Sequence, residues 1–412
     1  MTSASLSAAD AQAARRERGQ RRRRAFLFVA PLLVFLLFAF VAPIGTMLFR
    51  SVHHPIVAEL IPETLQRLEG WDGSDVPDAA VRGQFAQDLK RLAAERRSGK
   101  LAEEINRVLP GVSSVIKSTA RALRKLDEEE LIARGEAALV DADDRWDTVP
   151  VWRAIRDSGA VYTPDFYLTA LDLERSEAGG IQQRDGPRIY LKLYGKTLWM
   201  ALVITGLTLL LGYPLAYFLA GLRPGMANLL MVFVLLPFWT SLLVRTTSWI
   251  ALLQTNGVVN SSLMALGITR APIEMLYTQF ATIVAMTHIL LPFMILPLYS
   301  VMKGIDPSYL RAALSMGARP IPAFLRVYLP MTLPGLSAGA LLVFIISVGY
   351  YITPALVGGT SGQMISNIIA FHMQQSNNWE LAAALGTLLL AMILTLYWLY
   401  DRFVGAGNIK LG

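Results

Sequence analysis

The sequence predicts an all-α integral membrane protein with six spanning helices and a mainly helical soluble insert between the first and the second. Two observations predict it. The 412 residues are 54% hydrophobic and 17% charged, and the apolar residues gather into long blocks. The charges are segregated too: residues 1–50 hold eight basic and two acidic residues, 51–190 hold nineteen and twenty-five, and 191–412 hold eleven and four. A pI near 9.6 invites a nucleic-acid reading. Positive charge beside apolar blocks is more simply the bias of cytoplasmic loops in a membrane protein, so no nucleic-acid partner is expected. The chain has no cysteine, which excludes disulfides, thiolate metal sites and cysteine nucleophiles.

A basic tail, 1–24, precedes the first apolar block, 25–49. A secretory leader is the rival reading, but its apolar region runs to about 7–15 residues. This block is longer, enough for the roughly 20 residues that cross a bilayer, and is expected to remain as an anchor. Pro31 and Pro43 are tolerable there, because neighbouring groups can take up the freed carbonyls. Further spans are expected at 197–221, 227–253, 279–302, 335–357 and 381–403, within a five-helix core covering 191–403. Arg15 to Arg24 would hold the N-terminus in the cytoplasm. Six crossings then put the 222–226 turn, the 303–334 loop and the 404–412 tail on the same side. Arg223 in the turn, and Lys303, Arg311, Arg319 and Arg326 against Asp306 in the loop, fit that orientation.

The polar segment 50–190 falls outside the cell in this scheme. Apolar residues recur at helical intervals at Val81, Phe85, Leu89 and Leu92, at Leu101, Ile105 and Val108, and at Val112, Ile116 and Leu123. The acidic runs Asp127 to Glu130 and Asp141 to Asp147 read as solvated faces. The task of this insert is not legible.

The loop between the fourth and fifth spans is the most informative stretch. Asp306 is suited to cap a helix that begins at Pro307 and runs through Leu314, and Gly317 permits a sharp turn. A second helical segment is expected from Ala323 to Leu329, with Pro330 interrupting it. Two short helices meeting at a bend make a knob, which could be a mere connector. The spacing of Ala312-Ala313, three residues, Gly317, nine residues, Val327, one residue and Leu329-Pro330 resembles the loop of permease subunits in binding-protein-dependent ABC importers. Arg311 stands where that family's pattern has Glu, and Val327 where it has Ile. The blocks LLGYPLAYFLA (210–220), LLPFWTSLLVRTTSWI (235–250) and ILLPFMILPLYS (289–300) are similar to the spermidine/putrescine importer permeases.

The resemblance implies the type I importer permease fold, a bacterial inner-membrane location, and docking of the knob onto an ATP-hydrolysing subunit. It also implies a second permease, two ATP-binding subunits and an external substrate-binding protein. Arg311 puts the detailed contact to the ATPase in doubt. The sequence contains no G-x-x-x-x-G-K-[ST] phosphate loop, so ATP and Mg would be held by the partner ATPase, with no cofactor and no catalytic residue on this chain. Gly358-Gly359-Thr360-Ser361-Gly362 lacks a lysine and reads as a flexible turn.

Candidate pathway residues are Trp239, Arg245, Tyr350 and Tyr351. Arg245 is a charge within a span, so it should face protein or water, as a structural tether or as part of the pathway. An aromatic face attracts an organic cation by about 0.5–2 kcal/mol, which fits Trp239, Tyr350 and Tyr351, although packing would also explain them. His288 reads as a hydrogen-bonded core histidine, with a pathway role as the alternative. His53 and His54 read as interfacial, and two histidines are too few for a metal site. No Asp or Glu falls inside a span. A polyamine is the expected solute; amino-acid derivatives, opines and organophosphonates are the alternatives. A sensor would carry an intracellular output domain, which this chain does not show, and a secondary transporter would show internal repeats, broken helices and intramembrane acids, none of which is evident in the sequence.

Overall fold

The computed structural model describes residues 8–176, 180–184 and 186–404, with side chains from Arg22 to Arg402. Residues 405–412 of the expected tail, and the first seven residues, lie outside the described residues. The chain folds as two compact units divided after Pro164. The soluble insert was expected to run to 190, but residues 165–190 fold with the second unit.

In the first unit, an apolar helix of 29 residues, Arg22–Arg50, is long enough to span a membrane. It passes Pro43 by widening into a π turn at Leu37–Val41, which makes room where the proline ring meets the carbonyl of Ala39. The insert beyond it is helical, built from Pro62–Leu68, Ala79–Ala94, Ser98–Val108, Val112–Leu123 and Val149–Ser158, with shorter turns between. The apolar periodicity holds: Phe85, Leu89, Leu92, Leu101, Ile105, Ile116 and Leu123 are buried. Val108 is the exception and is exposed. At the centre Phe85, Trp146 and Trp152 pack with ring centroids 5.0, 5.4 and 5.7 Å apart. Both indole N–H groups are satisfied, Trp146 donating to Thr119 Oγ1 (2.8 Å) and Trp152 to the Trp146 carbonyl (2.9 Å). The acid run at 127–130 is exposed. His53 stacks on Phe49, whereas His54 is buried and bonds Glu104 at 3.0 Å, so it is a core residue of the insert and not an interfacial one.

The second unit begins with a short helix, Asp165–Ala170, and an antiparallel hairpin pairing Leu173–Arg175 with Ile181–Gln183. Asp172 lies between them. Its carboxylate accepts from the N–H groups of Ile189 (3.2 Å), Tyr190 (3.2 Å) and Leu191 (2.8 Å), capping the long helix that follows. Apolar helices long enough to cross a membrane run from Tyr190–Gly221, Gln279–Gly304, Pro320–Gly349 and Trp379–Arg402. The first three of these pack around buried Met200, Ile204, Met286, Leu290, Met294 and Val343. Gly335 permits their closest approach: a Cβ there would stand 2.8 Å from the Pro297 carbonyl oxygen.

Two expected spans differ in shape. The third, placed at 227–253, is a bent pair, Pro224–Trp239 and Leu242–Ala265, meeting at 94°. Pro237 ends the first half, Thr240 Oγ1 turns back to the Pro237 carbonyl (3.0 Å), and Ser241 caps the second half through the Val244 N–H (3.2 Å). The fifth, placed at 335–357, begins earlier and stops at Gly349, where Tyr350 turns extended before a short helix Ile352–Val357. The glycine run at 358–362 is packed, not loose. A Cβ on Gly358 would meet Thr282 Oγ1 at 2.4 Å, and one on Gly362 would meet Gly358 Cα at 2.4 Å.

Candidate functional site

The knob is built by local capping. Asp306 Oδ1 accepts from the Ser308 N–H at 2.8 Å, and the helix runs Ser308–Ser315, one residue later than expected at each end. The Ser308 N–H and hydroxyl, with Arg311 adding charge, hold the Asp306 carboxyl below the usual carboxylate range. At the other end Ala318 N donates to the Ala313 carbonyl (3.1 Å) and Gly317 N to the Leu314 carbonyl (3.0 Å), the paired bonds of a Schellman stop. Gly317 has φ +87°, and a Cβ on it would meet nothing within 4 Å. The glycine is required by backbone conformation alone.

The second arm does not stop at Pro330. Pro320–Ala323, a π turn at Phe324–Tyr328 and Leu329–Gly349 form one unbroken helix. The π turn widens the ladder where the Pro330 ring would strike the Arg326 carbonyl, repeating the device used before Pro43. Of the matched positions, Ala313 is buried, Arg311, Ala312, Gly317 and Pro330 are exposed, and Val327 and Leu329 are half-buried. The tip is apolar and open: Met316 is 83% and Ile321 73% exposed.

Two contacts tie the knob to the second-span helix, Tyr190–Gly221. Lys303 Nζ donates to the carbonyls of Ala220 (3.2 Å) and Leu222 (3.1 Å) at its end. Phe324 and Tyr328 of the π turn pack against Tyr217, with ring centroids 5.7 and 5.2 Å away, and Tyr213 meets Phe324 edge-on at 6.2 Å. Tyr213 and Thr332 share a 3.1 Å hydrogen bond.

The candidate pathway residues divide. Arg245 lies half-buried in the second half of the broken third span. Trp249 Nε1 donates to His288 Nδ1 (3.3 Å), so His288 is hydrogen-bonded as expected, yet it is exposed and not a core residue. The Thr246 and Thr353 hydroxyls lie 3.5 Å apart. The Thr246–Thr353 contact thus joins the half of the third span that carries Arg245 to the short helix that follows Tyr350. Tyr351 faces elsewhere: it lines a cavity of about 410 Å³ with Gln363, Asn367, Phe371, Gln374 and Gln375. Trp239 ends the first half of the third span, 72% exposed, with no hydrogen bond or ring contact among the described residues.

Sequence reasoning missed the residues that make the fifth-span break possible. Ser366 Oγ donates to the Tyr350 carbonyl (2.7 Å) and Asn367 Nδ2 to the Tyr351 carbonyl (2.8 Å). Backbone at membrane depth must be satisfied by protein, and these two side chains do it. Gly349 followed by Pro354 was the signal for the break.

Residues 210–405 match the family described as binding-protein-dependent transport system inner membrane component. The spermidine/putrescine transport system permease protein PotB of Haemophilus influenzae is 36% identical over 219 residues, covering 52% of this chain and 77% of that protein. PotB of Escherichia coli is also 36% identical, over 52% of this chain and 80% of its own length. The inner membrane ABC transporter permease protein YdcU of E. coli is 33% identical over 228 residues, covering 51% of this chain and 71% of that protein. With its long apolar helices and its bent loop, the chain belongs to the inner-membrane components of binding-protein-dependent transport systems, as a PotB-like permease of an ABC importer.

Proposed function

We propose that this chain forms half of the translocation pathway of an importer for polyamines such as putrescine and spermidine, and that loop 303–334 receives the mechanical work of ATP hydrolysis. The complex in this reading contains a second permease, two ATP-binding subunits that hold ATP and Mg, and an external binding protein. This chain itself catalyses nothing. Its termini and the loop face the cytoplasm, and the insert faces outward.

The observation that carries the coupling role is the knob. A docking element needs an exposed apolar tip and a stiff connection to the spans. Met316 and Ile321 supply the first, and Lys303 with the Tyr217–Phe324–Tyr328 cluster supplies the second. The polyamine assignment is supported by the printed names of relatives at 36% identity. One observation favours a second reading. Arg245 is a cation within the broken third span, and a cationic lining suits a carboxylate- or phosphonate-bearing solute, such as an opine or an organophosphonate, better than a polyamine. Equilibrium binding to the purified external binding protein tests the choice. Tight binding of putrescine or spermidine is expected; binding of acidic solutes alone moves the assignment to the second reading.

A further inference from the structure

Arg245 is a charge without a counter-charge. Its Nε is buried and has no hydrogen-bond partner, and no ion pair reaches the guanidinium among the described residues. Residues 191–412 hold four acids, Glu274, Asp306, Glu380 and Asp401, and all stand outside the helices that surround it. Trp249, one turn on from Arg245 on the same helix face, donates to His288 Nδ1, so the neutral imidazole meets that face and carries its proton on Nε2. His288 is nevertheless exposed on a membrane helix, and an ionisable side chain there faces protein or water and not lipid.

We infer that Arg245, with His288 beside it, is the seat of a carboxylate supplied from outside this chain. The planar fork of a guanidinium fits a carboxylate through two parallel hydrogen bonds, and a desolvated site strengthens the pair. The second permease subunit is one source of that carboxylate and the transported solute is the other. The inference rests on the permease reading. With a polyamine cargo it also removes a difficulty, since a carboxylate from the second subunit would cancel the charge that repels the cargo.

The test uses the complete importer in proteoliposomes, with putrescine and the amino acid γ-aminobutyrate as probes. Copurification of the ATPase with each variant shows that the complex has assembled. If the second subunit supplies the carboxylate, Arg245→Gln lowers the putrescine kcat by about tenfold or more, and Arg245→Glu lowers it further. Uptake by Arg245→Glu then returns when the facing Asp or Glu of the second permease is changed to Arg. Because the chain has no cysteine, Arg245→Cys offers a single cross-linking point for finding that residue. If the solute supplies the carboxylate, Arg245→Gln raises KM for γ-aminobutyrate about tenfold and leaves putrescine unaffected. Wild-type kcat and KM for both probes in Arg245→Gln overturn the inference. So does a loss of uptake that shows neither rescue by charge reversal nor a solute-specific change in KM. A wild-type complex that imports neither probe would defeat the polyamine reading before any variant is made.

Discussion

Gly317 and Asp172 show how single residues carry this fold. The space beside Gly317 is empty, so Gly317→Val costs only the left-handed backbone penalty, about 1–2 kcal/mol. The expected outcome is normal membrane insertion with reduced copurification of the ATPase, and Gly317→Asn should lose less because Asn tolerates this region. Asp172 caps the second-span helix with three N–H bonds, so Asp172→Ala should destabilise the detergent-solubilised protein by about 1–2 kcal/mol in thermal unfolding. Asp306 gives a pH signature. Its folded-state value is depressed, so its capping is fully present above the unfolded value of about 3.9 and fades as pH falls through the lower folded value. The protection factors of amides 308–311, which remove the intrinsic pH dependence of exchange, should therefore be flat between about pH 5 and 8 and fall in acid, and Asp306→Asn should remove that acid step. Of these residues the sequence announced Asp306 and Gly317, because caps and turns are local chemistry. Asp172 was silent, since its partners lie seventeen to nineteen residues away.

Among the elements, the membrane helices were legible wherever apolar content alone decides. Hydropathy counts residues and is blind to direction, so the 94° break between Trp239 and Leu242 went unseen although Ser241 was there to cap it. The insert's helices were legible from period, and its core was not: nothing local says that Phe85, Trp146 and Trp152 meet. Trp146→Ala should cost about 3–5 kcal/mol and open the insert to protease while leaving the spans protected. The pathway residues fared worst. Arg245 follows one helix break and Tyr350 stands in another, and Tyr351, one residue on, lines a cavity with Asn367 and Phe371.

For the whole molecule, the proposed topology makes a direct statement about sides. A cysteine placed at Met316 should resist membrane-impermeant reagents in intact cells and react after the membrane is opened, and labelling in intact cells would reverse the orientation. The family match runs over 210–405, so it covers the membrane half and not the insert. The π turn at Phe324–Tyr328 has a molecular-scale outcome. It is one surplus residue spliced into a rod, and α-helix geometry allots about 100° to each residue. Excising one residue between 324 and 328 would swivel the apolar tip by about that angle while leaving both arms helical, so the heading of Met316 and Ile321 relative to the spans is dialled in by a single unit of chain length.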